Sequence, residues 1–575
     1  MTALPTMPAT SPADASAGLA SLDTAVEALR SQQESWARLS VSECISLIDE
    51  VARDVAAVAD EWAAASAAAV GLDSSDPASA EASLEGPYLV LRYLRLLRRS
   101  LVGIARDGVP PIPGGIRSFA DGQVAARVFP VDIWDRLLFA GLTADVWMEP
   151  GVAAADVAAS QAVAYRQPDA GGVCLVLGGG NLSAIGPLDA LGKLFIEKRV
   201  VVLKQHPVLG YLQPILERAF AALVRRDYLR IVAGGAPEGA YLCRDPRVGE
   251  LHITGSDRTY DAIVFGTDDG AAARKLRDDP LIAKPFSAEL GNITPAIVVP
   301  GPWTDGDLAY HAESIASMLA NNAGFNCGAV RMVVNHAGWP LRSDLLEAIG
   351  HRLAAIPTRR AYYPGAAARY DALLSTHSGA MQFGQRDGDR LPWALIPNLD
   401  SATDDPCFAT EAFCGLFGET AIDAPTVADY VDRAVAFANE RLWGTLSATL
   451  IVHPASLRDP SVAEAVERAI VNLHAGTVSV NHWSALSFGL GTTTWGAFPG
   501  NLRTDIQSGS GVTHNALMFS KVQKSVMRSP FRVRPKPVWF ASHRTAPQLA
   551  RELVRHEASP SVSRLPRILA LALRG

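Results

Sequence analysis

The sequence predicts an α/β protein built on a doubly wound parallel sheet, and three observations carry that expectation. Short runs of β-branched residues alternate with helical patterns from residue 173 onward. Glycine-rich turns stand where those runs hand over to helices. A helical stretch from Leu22 to about Arg106 precedes them, which sets an all-helical opening before the sheet.

Taken in order, residues 1–22 are mostly Ala, Ser, Thr and Pro and are expected to be disordered. Beyond them Ile45, Leu47, Ile48, Val51 and Val55 recur at helical spacing, as do Leu89, Leu91, Leu94 and Leu97. Pro110 to Gly115 reads as a loop, followed by weak alternation over 123–127 and 145–166. Strands are then expected at 173–177, 200–203, 229–232 and 250–253, with helices at 183–198, 211–224, 237–242 and from Thr254-Gly255-Ser256 through Phe265. From about Glu289 a second α/β unit begins, with strands near 296–299, 330–334, 448–452 and 477–481. Ligands are expected at the carboxyl ends of such strands.

With 575 residues the chain suggests roughly three domains on a prior of about 100–200 residues each. A net charge of -7 gives no general case for nucleic-acid binding. From Lys521 onward, however, Arg and Lys far outnumber Glu552 and Glu557, so the tail is basic. It is expected to be solvated or to contact an acidic subunit surface, its apolar end Ile568 to Leu573 packing on a neighbouring subunit. The six cysteines form no CxxC pair, and no metal-ligand spacing is found, so no metal is expected. The N-terminal residues lack the charge and apolar core of a signal peptide, and the charge-free runs are broken by Gly, Pro, Asn and His. The expected compartment is the cytoplasm, with no membrane span.

The chemistry centres on Asn321 to Arg331, where Cys327 sits among glycines and asparagines, a poor setting in which to bury a thiol for packing. Cys327 is a candidate nucleophile, with burial as a small hydrophobe the competing reading. Glu289, before Leu290-Gly291-Asn292, is a carboxylate able to activate water. Asn181, after Gly178-Gly179-Gly180, can offer an amide N–H to an oxyanion, or simply cap a helix. Lys204 at a strand end suits a ribose or phosphate, though taken alone it reads better as a surface lysine closing the strand, and Gly255-Ser256 at a helix start suits a pyrophosphate or equally a plain cap. Glu411 and Phe413 share a face if extended, and His482 is either a pocket or a structural histidine.

Together and in this order, these segments resemble the aldehyde dehydrogenase superfamily. Gly179-Gly180-Asn181 is similar to its Pro-Trp-Asn segment, Val202-Leu203-Lys204 to its strand-end lysine, and Ile253 to Ser256 to its Thr-Gly-Ser turn. Glu289-Leu290-Gly291, Asn326-Cys327, Glu411-Ala412-Phe413, Ala475 to Asn481 and Ser487-Phe488-Gly489 follow suit. The resemblance runs from about Ser40 to Ser520.

The resemblance implies an aldehyde dehydrogenase-like fold. Residues 23–142 and 167–288 would bind the cofactor, 289–500 would carry catalysis, 143–166 and 501–540 would form an oligomerisation arm, and 541–575 would be a basic extension. It implies NAD or NADP as cofactor, an aldehyde as substrate, a homodimer or homotetramer, and no nucleic acid. Cys327 would be the nucleophile, Glu289 the hydrolytic base and Asn181 an oxyanion donor, while Lys204, Gly255, Ser256, Glu411 and Phe413 would hold the cofactor. Departures cluster near the cofactor: Gly179-Gly180 for Pro-Trp, Gln205 and Pro207 after the lysine, and Tyr260 where the family has glycine. Two other readings stand beside this one: a CoA-linked acyl reductase of the same fold, and a catalytically degenerate binding or scaffold protein.

Overall fold

The computed structural model describes residues 12–119 and 122–575, with side chains from residue 18. Two sheets organise it. A six-stranded sheet has the order Gly509–Ser510, Phe286–Glu289, Val248–Thr254, Val173–Leu177, Val200–Lys204, Leu229–Val232. All but the first pair in parallel. The middle strands are buried along nearly their whole length, as expected where helices cover both faces. Glu289, Thr254 and Lys204 each stand at a strand's carboxyl end, so the sheet brings them to one edge.

The larger sheet has eleven strands. Its parallel centre comprises Thr477–Val480, Ser447–Val452, Thr294–Val299, Val330–His336, Leu416–Ile422 and Trp393–Leu399. The nucleophile segment lies between the helix Asp305–Ala320 and the strand Val330–His336. A capping box starts that helix: Thr304 N donates to Asp307 at 2.9 Å and Thr304 Oγ1 accepts from Asp307 N at 3.3 Å.

Several boundaries differ from the sequence expectation. The first helix spans Pro12–Ala37, so the part of the expected disordered stretch from residue 12 is ordered. Alanine-rich sequence favours helix there, and Leu22, Val26 and Leu29, one stripe at helical spacing, are buried. Residues 1–11 lie outside the described residues. Val124–Phe129, assigned to the cofactor-binding part, belongs to the large sheet, and Gly509–Ser510, assigned to the arm, pairs with Ala288 and Glu289 in the small one. The arm strands Thr143–Met148 and Val522–Arg528 pair with each other and, through Thr477–Val480, extend the chain's own large sheet. Their backbone groups are therefore satisfied within the chain.

The tail also differs from expectation. The helix Ala546–Ala558 packs on Ala80–Ser83 and on Leu89–Asp107 of the same chain, while of the apolar end Ile568 is buried and Leu569 and Leu573 stay exposed. Its cations meet the chain's own carboxylates: Arg528 with Glu467, Arg532 with Asp307, and Arg555 and Arg567 with Glu552. Among the described residues no helix is long and apolar enough to cross a membrane.

Candidate active site

One cleft of about 930 Å³ opens at the carboxyl edge of the small sheet and runs to the nucleophile loop. Its lining includes Asn181, Lys204, Gly255, Ser256, Glu289, Cys327, Glu411 and Phe413, so the fold brings all eight expected site residues to one cavity. Its size falls in the ordinary range for ligand pockets.

Cys327 is partly buried, whereas the other five cysteines are buried. It follows a backbone held in an uncommon shape: Asn322, Ala323 and Gly324 have φ of 50°, 55° and 83°. A Cβ on Gly324 would lie 2.5 Å from the Cys414 carbonyl oxygen, so both the positive φ and the close approach require glycine. Polar side chains fix the loop. Asn326 Nδ2 donates to Asn321 Oδ1 at 2.6 Å, and Asn322 Nδ2 to the Asn181 carbonyl at 2.9 Å. The buried Arg331 donates to the carbonyls of Cys414 and Gly324, tying the loop to the segment that carries Glu411 and Phe413.

Glu289 is buried, accepts a hydrogen bond from Trp495 Nε1 at 3.2 Å, and lines the same cleft as the Cys327 thiol. Burial raises its pKa to about 8 against the pull of the Trp495 donor, with Asp189 and Glu411 adding repulsion. Burial also pushes the Cys327 thiol well above its usual value, and the carboxylates of Glu289 and Glu411 push the same way. Asn181 Nδ2 donates one hydrogen to the Phe325 carbonyl at 2.9 Å, and an amide nitrogen carries a second.

At the far end, Ser256 caps the helix Asp257–Phe265 by accepting from Thr259 N at 3.2 Å, and Gly255 N donates to the Glu289 carbonyl at 3.0 Å. Lys204 is buried, which lowers its pKa while Glu238 opposes the shift. Phe413 has φ of 41° and packs beside Tyr363, ring centroids 5.0 Å apart. Arg369 fixes this turn by donating to the carbonyls of Ala412 at 3.1 Å and Phe413 at 3.3 Å.

Two sequence departures have local reasons. Gly180 makes room for the His206 ring, which a Cβ there would meet inside van der Waals contact and which stacks on Tyr363. Tyr260 faces away from the cleft, buried against Phe286 with centroids 4.9 Å apart, so its bulk does not enter the pocket. His482 is buried beside Trp539 and is not part of the cleft wall, in line with its structural reading. Sequence reasoning missed Trp495, Arg369 and Tyr363. The charge-free run 469–502 holds both Trp483 and Trp495, so composition did not single out the first.

Gly291 offers a test of this geometry. A Cβ there would overlap Glu411 Oε2, whose carboxylate is held by the backbone of Asn292. Gly291→Ala is therefore expected to displace the Glu411 carboxylate in the cleft wall, a shift that a crystal structure of the variant would show.

No protein-family model matches the sequence, and no curated protein matches it. Solved structures do. The chain is similar to an NAD-dependent aldehyde dehydrogenase from Sinorhizobium meliloti, with 19% identity, TM-score 0.58, and coverage of 90% of this chain and 88% of the other. An aldehyde dehydrogenase C variant from Pseudomonas syringae, complexed with NAD+ and octanal, is 16% identical with TM-score 0.60 and 90% of each chain covered. An NADP-complexed glyceraldehyde-3-phosphate dehydrogenase from Methanocaldococcus jannaschii is 14% identical with TM-score 0.58, over 91% and 96% of the two chains. Across its length, then, this chain has the aldehyde dehydrogenase fold.

Proposed function

We propose that this chain oxidises an aldehyde to a carboxylic acid with NAD+ or NADP+, through a thiohemiacetal and then a thioester on Cys327. The observation that carries the reading is the meeting, in one large cleft, of the one cysteine that is only partly buried and a buried carboxyl of raised pKa. The cleft also fits a dinucleotide. Glu411 Oε1 and Gln205 Oε1 are buried acceptors without a protein partner and both residues line it, as hydroxyl groups of a ribose would require.

In this reading the Cys327 thiol gives its proton to solvent, and its sulfur forms a C–S bond to the aldehyde carbon. Asn181 Nδ2 and the Cys327 N–H stabilise the oxyanion. The bound dinucleotide supplies the hydride acceptor that turns the thiohemiacetal into a thioester. Glu289 then removes a proton from water, the hydroxide oxygen bonds to the acyl carbon, and the C–S bond breaks to release the acid and the thiolate. Lys204 and Ser256 hold the adenosine half, and Glu411 and Phe413 the nicotinamide half. Because Glu289 stands beside Cys327, this reading is favoured over transfer to CoA.

The test is single-turnover formation of reduced dinucleotide with a panel of aliphatic and aromatic aldehydes and both cofactors. The wild-type chain is expected to give a burst and then steady turnover. Glu289→Gln is expected to keep a burst of up to one equivalent while steady turnover falls about 100-fold or more. No reduced dinucleotide with any pairing would reject the reading. The pH dependence follows from Glu289: protonated below about 8, it cannot act as a base, so the hydrolytic rate should rise about tenfold per unit up to that pH and then level off. Glu289→Gln should lose this slope.

A further inference from the structure

Away from the reacting groups, the fold assembles three side chains that sequence spacing does not connect: His377, Asp405 and Cys407. One donor atom from each lies within 4.8 Å of the other two. His377 follows the helix Ala366–Ser375, and Asp405 caps the short turn Pro406–Ala409 that leads into Glu411 and Phe413.

The hydrogen bonds around the histidine define what the site wants. His377 Nδ1 lies 2.7 Å from the Leu373 carbonyl oxygen. A carbonyl only accepts, so Nδ1 carries the hydrogen, and in the neutral ring Nε2 keeps its lone pair. That nitrogen lies 3.0 Å from Asp405 Oδ2. Two electron-rich atoms at this distance need a cation between or upon them. Asp405 is itself oriented, because its Oδ1 accepts from Cys407 N at 2.8 Å. An imidazole fixed through Nδ1–H to a backbone carbonyl, facing an oriented carboxylate, is how proteins hold metal-ligating histidines.

We propose that His377 Nε2, Asp405 Oδ2 and Cys407 Sγ bind one zinc ion. The mixed N, O and S donor set selects a borderline-soft divalent ion over magnesium or calcium. Four ligands at about 2.0–2.3 Å around zinc stand on the order of 3.5 Å apart, which this cluster reaches with small side-chain shifts. Cys407 is 6% exposed, while His377 and Asp405 are 11% and 16% exposed at the side chain, so the cluster is closed on the thiol side and open to a water as fourth ligand. Binding forms the Zn–S bond and sends the thiol proton to solvent, together with an imidazole proton if His377 is charged. The ion would join the end of one helix to the turn that carries Glu411 and Phe413. Arg369 of that helix already grips the carbonyls of Ala412 and Phe413, so zinc would brace the same junction a second time.

The experiment uses the full chain in a Cys327→Ala background, so that the cleft thiol cannot supply a ligand. The protein is stripped with a chelator, dialysed and titrated with Co2+, then Zn2+. The expected result is a thiolate-to-cobalt charge-transfer band saturating at one ion per chain and erased by one equivalent of zinc. Cys407→Ser should abolish the band, and His377→Ala and Asp405→Asn should weaken affinity by about 10–100-fold or more. In the same background, zinc should slow iodoacetamide labelling of Cys407 at least tenfold, read by peptide mass spectrometry, which keeps the test decisive if a variant fails to fold. Absence of the band together with unchanged labelling of Cys407 would overturn the proposal, leaving a plain His377–Asp405 ion pair beside a buried thiol. Neither readout depends on turnover.

Discussion

Cys327→Ala should abolish aldehyde-dependent formation of reduced dinucleotide, with no burst and a loss of at least about 1,000-fold in turnover. The size of the effect follows from the site having no substitute. Four of the other five cysteines lie outside the cleft wall, and Cys243, which lines it, is buried. Binding should survive, since the groups proposed to hold the dinucleotide, Lys204, Ser256, Glu411 and Phe413, stand on other elements. The measurement pairs stopped-flow absorbance with intact-mass analysis of Glu289→Gln after aldehyde and cofactor are added. An acyl adduct should appear on the Glu289→Gln chain and disappear from the double variant Cys327→Ala/Glu289→Gln. Cys174→Ala, a change deep in the Val173–Leu177 strand, should leave the burst intact. A burst that persisted without Cys327 would remove the thiol from the mechanism.

Much of the scaffold was legible because its strands are buried on both faces and so read as continuous apolar runs. The strand expectations at 173–177 and 229–232 match the structure residue for residue. The meeting of Glu289, Lys204 and Gly255-Ser256 at one sheet edge was legible because strand ends and a helix start mark them, whereas Cys327, Glu411 and Phe413 lie in loops and were singled out by their order along the chain. What stayed hidden depends on contacts between distant segments. Trp495 reaches Glu289 across 206 positions, and Arg331 grips the Cys414 carbonyl across 83, distances over which periodicity says nothing. The zinc proposal has the same origin, since His377 and Asp405 are 28 positions apart and meet only because helix and turn are neighbours. The packing of the tail helix Ala546–Ala558 on Ala80–Ser83 stayed hidden for the same reason, since it joins opposite ends of the chain.

Glu557→Ala should be the most destabilising single change in the C-terminal segment, by about 3–5 kcal/mol. Glu557 is buried and accepts from Arg92 Nη1 at 3.0 Å and Arg95 Nε at 2.6 Å. Arg92, 2% exposed, also meets Asp135 at 3.0 Å. Burial works to raise the Glu557 pKa, but the two guanidinium groups outweigh it and hold the carboxyl below its usual range. A carboxyl depressed in the fold adds stability that is present above the unfolded value of about 4.5 and is lost as pH falls through the folded one. Acidification through that lowered value should therefore loosen the tail, and Glu557→Ala should remove that part of the acid dependence. Removing the carboxylate leaves buried positive charge only partly balanced by Asp135, which is why the cost exceeds that of a surface pair, typically below about 1 kcal/mol. Glu557→Gln, which retains an acceptor oxygen, should cost less. Urea midpoints and limited proteolysis would read both, with cleavage expected first near residues 541–546. The same arginine carries the consequence inward: Arg92 Nε donates to the Leu490 carbonyl at 3.2 Å, just before the threonines that lead to Trp495 and its bond to Glu289. A tail that seals Arg92 thus braces the segment that orients the proposed base, and Glu557→Ala should lower the hydrolytic rate while leaving the burst amplitude in place. Equal loss of burst and turnover would instead place the tail's influence on folding alone.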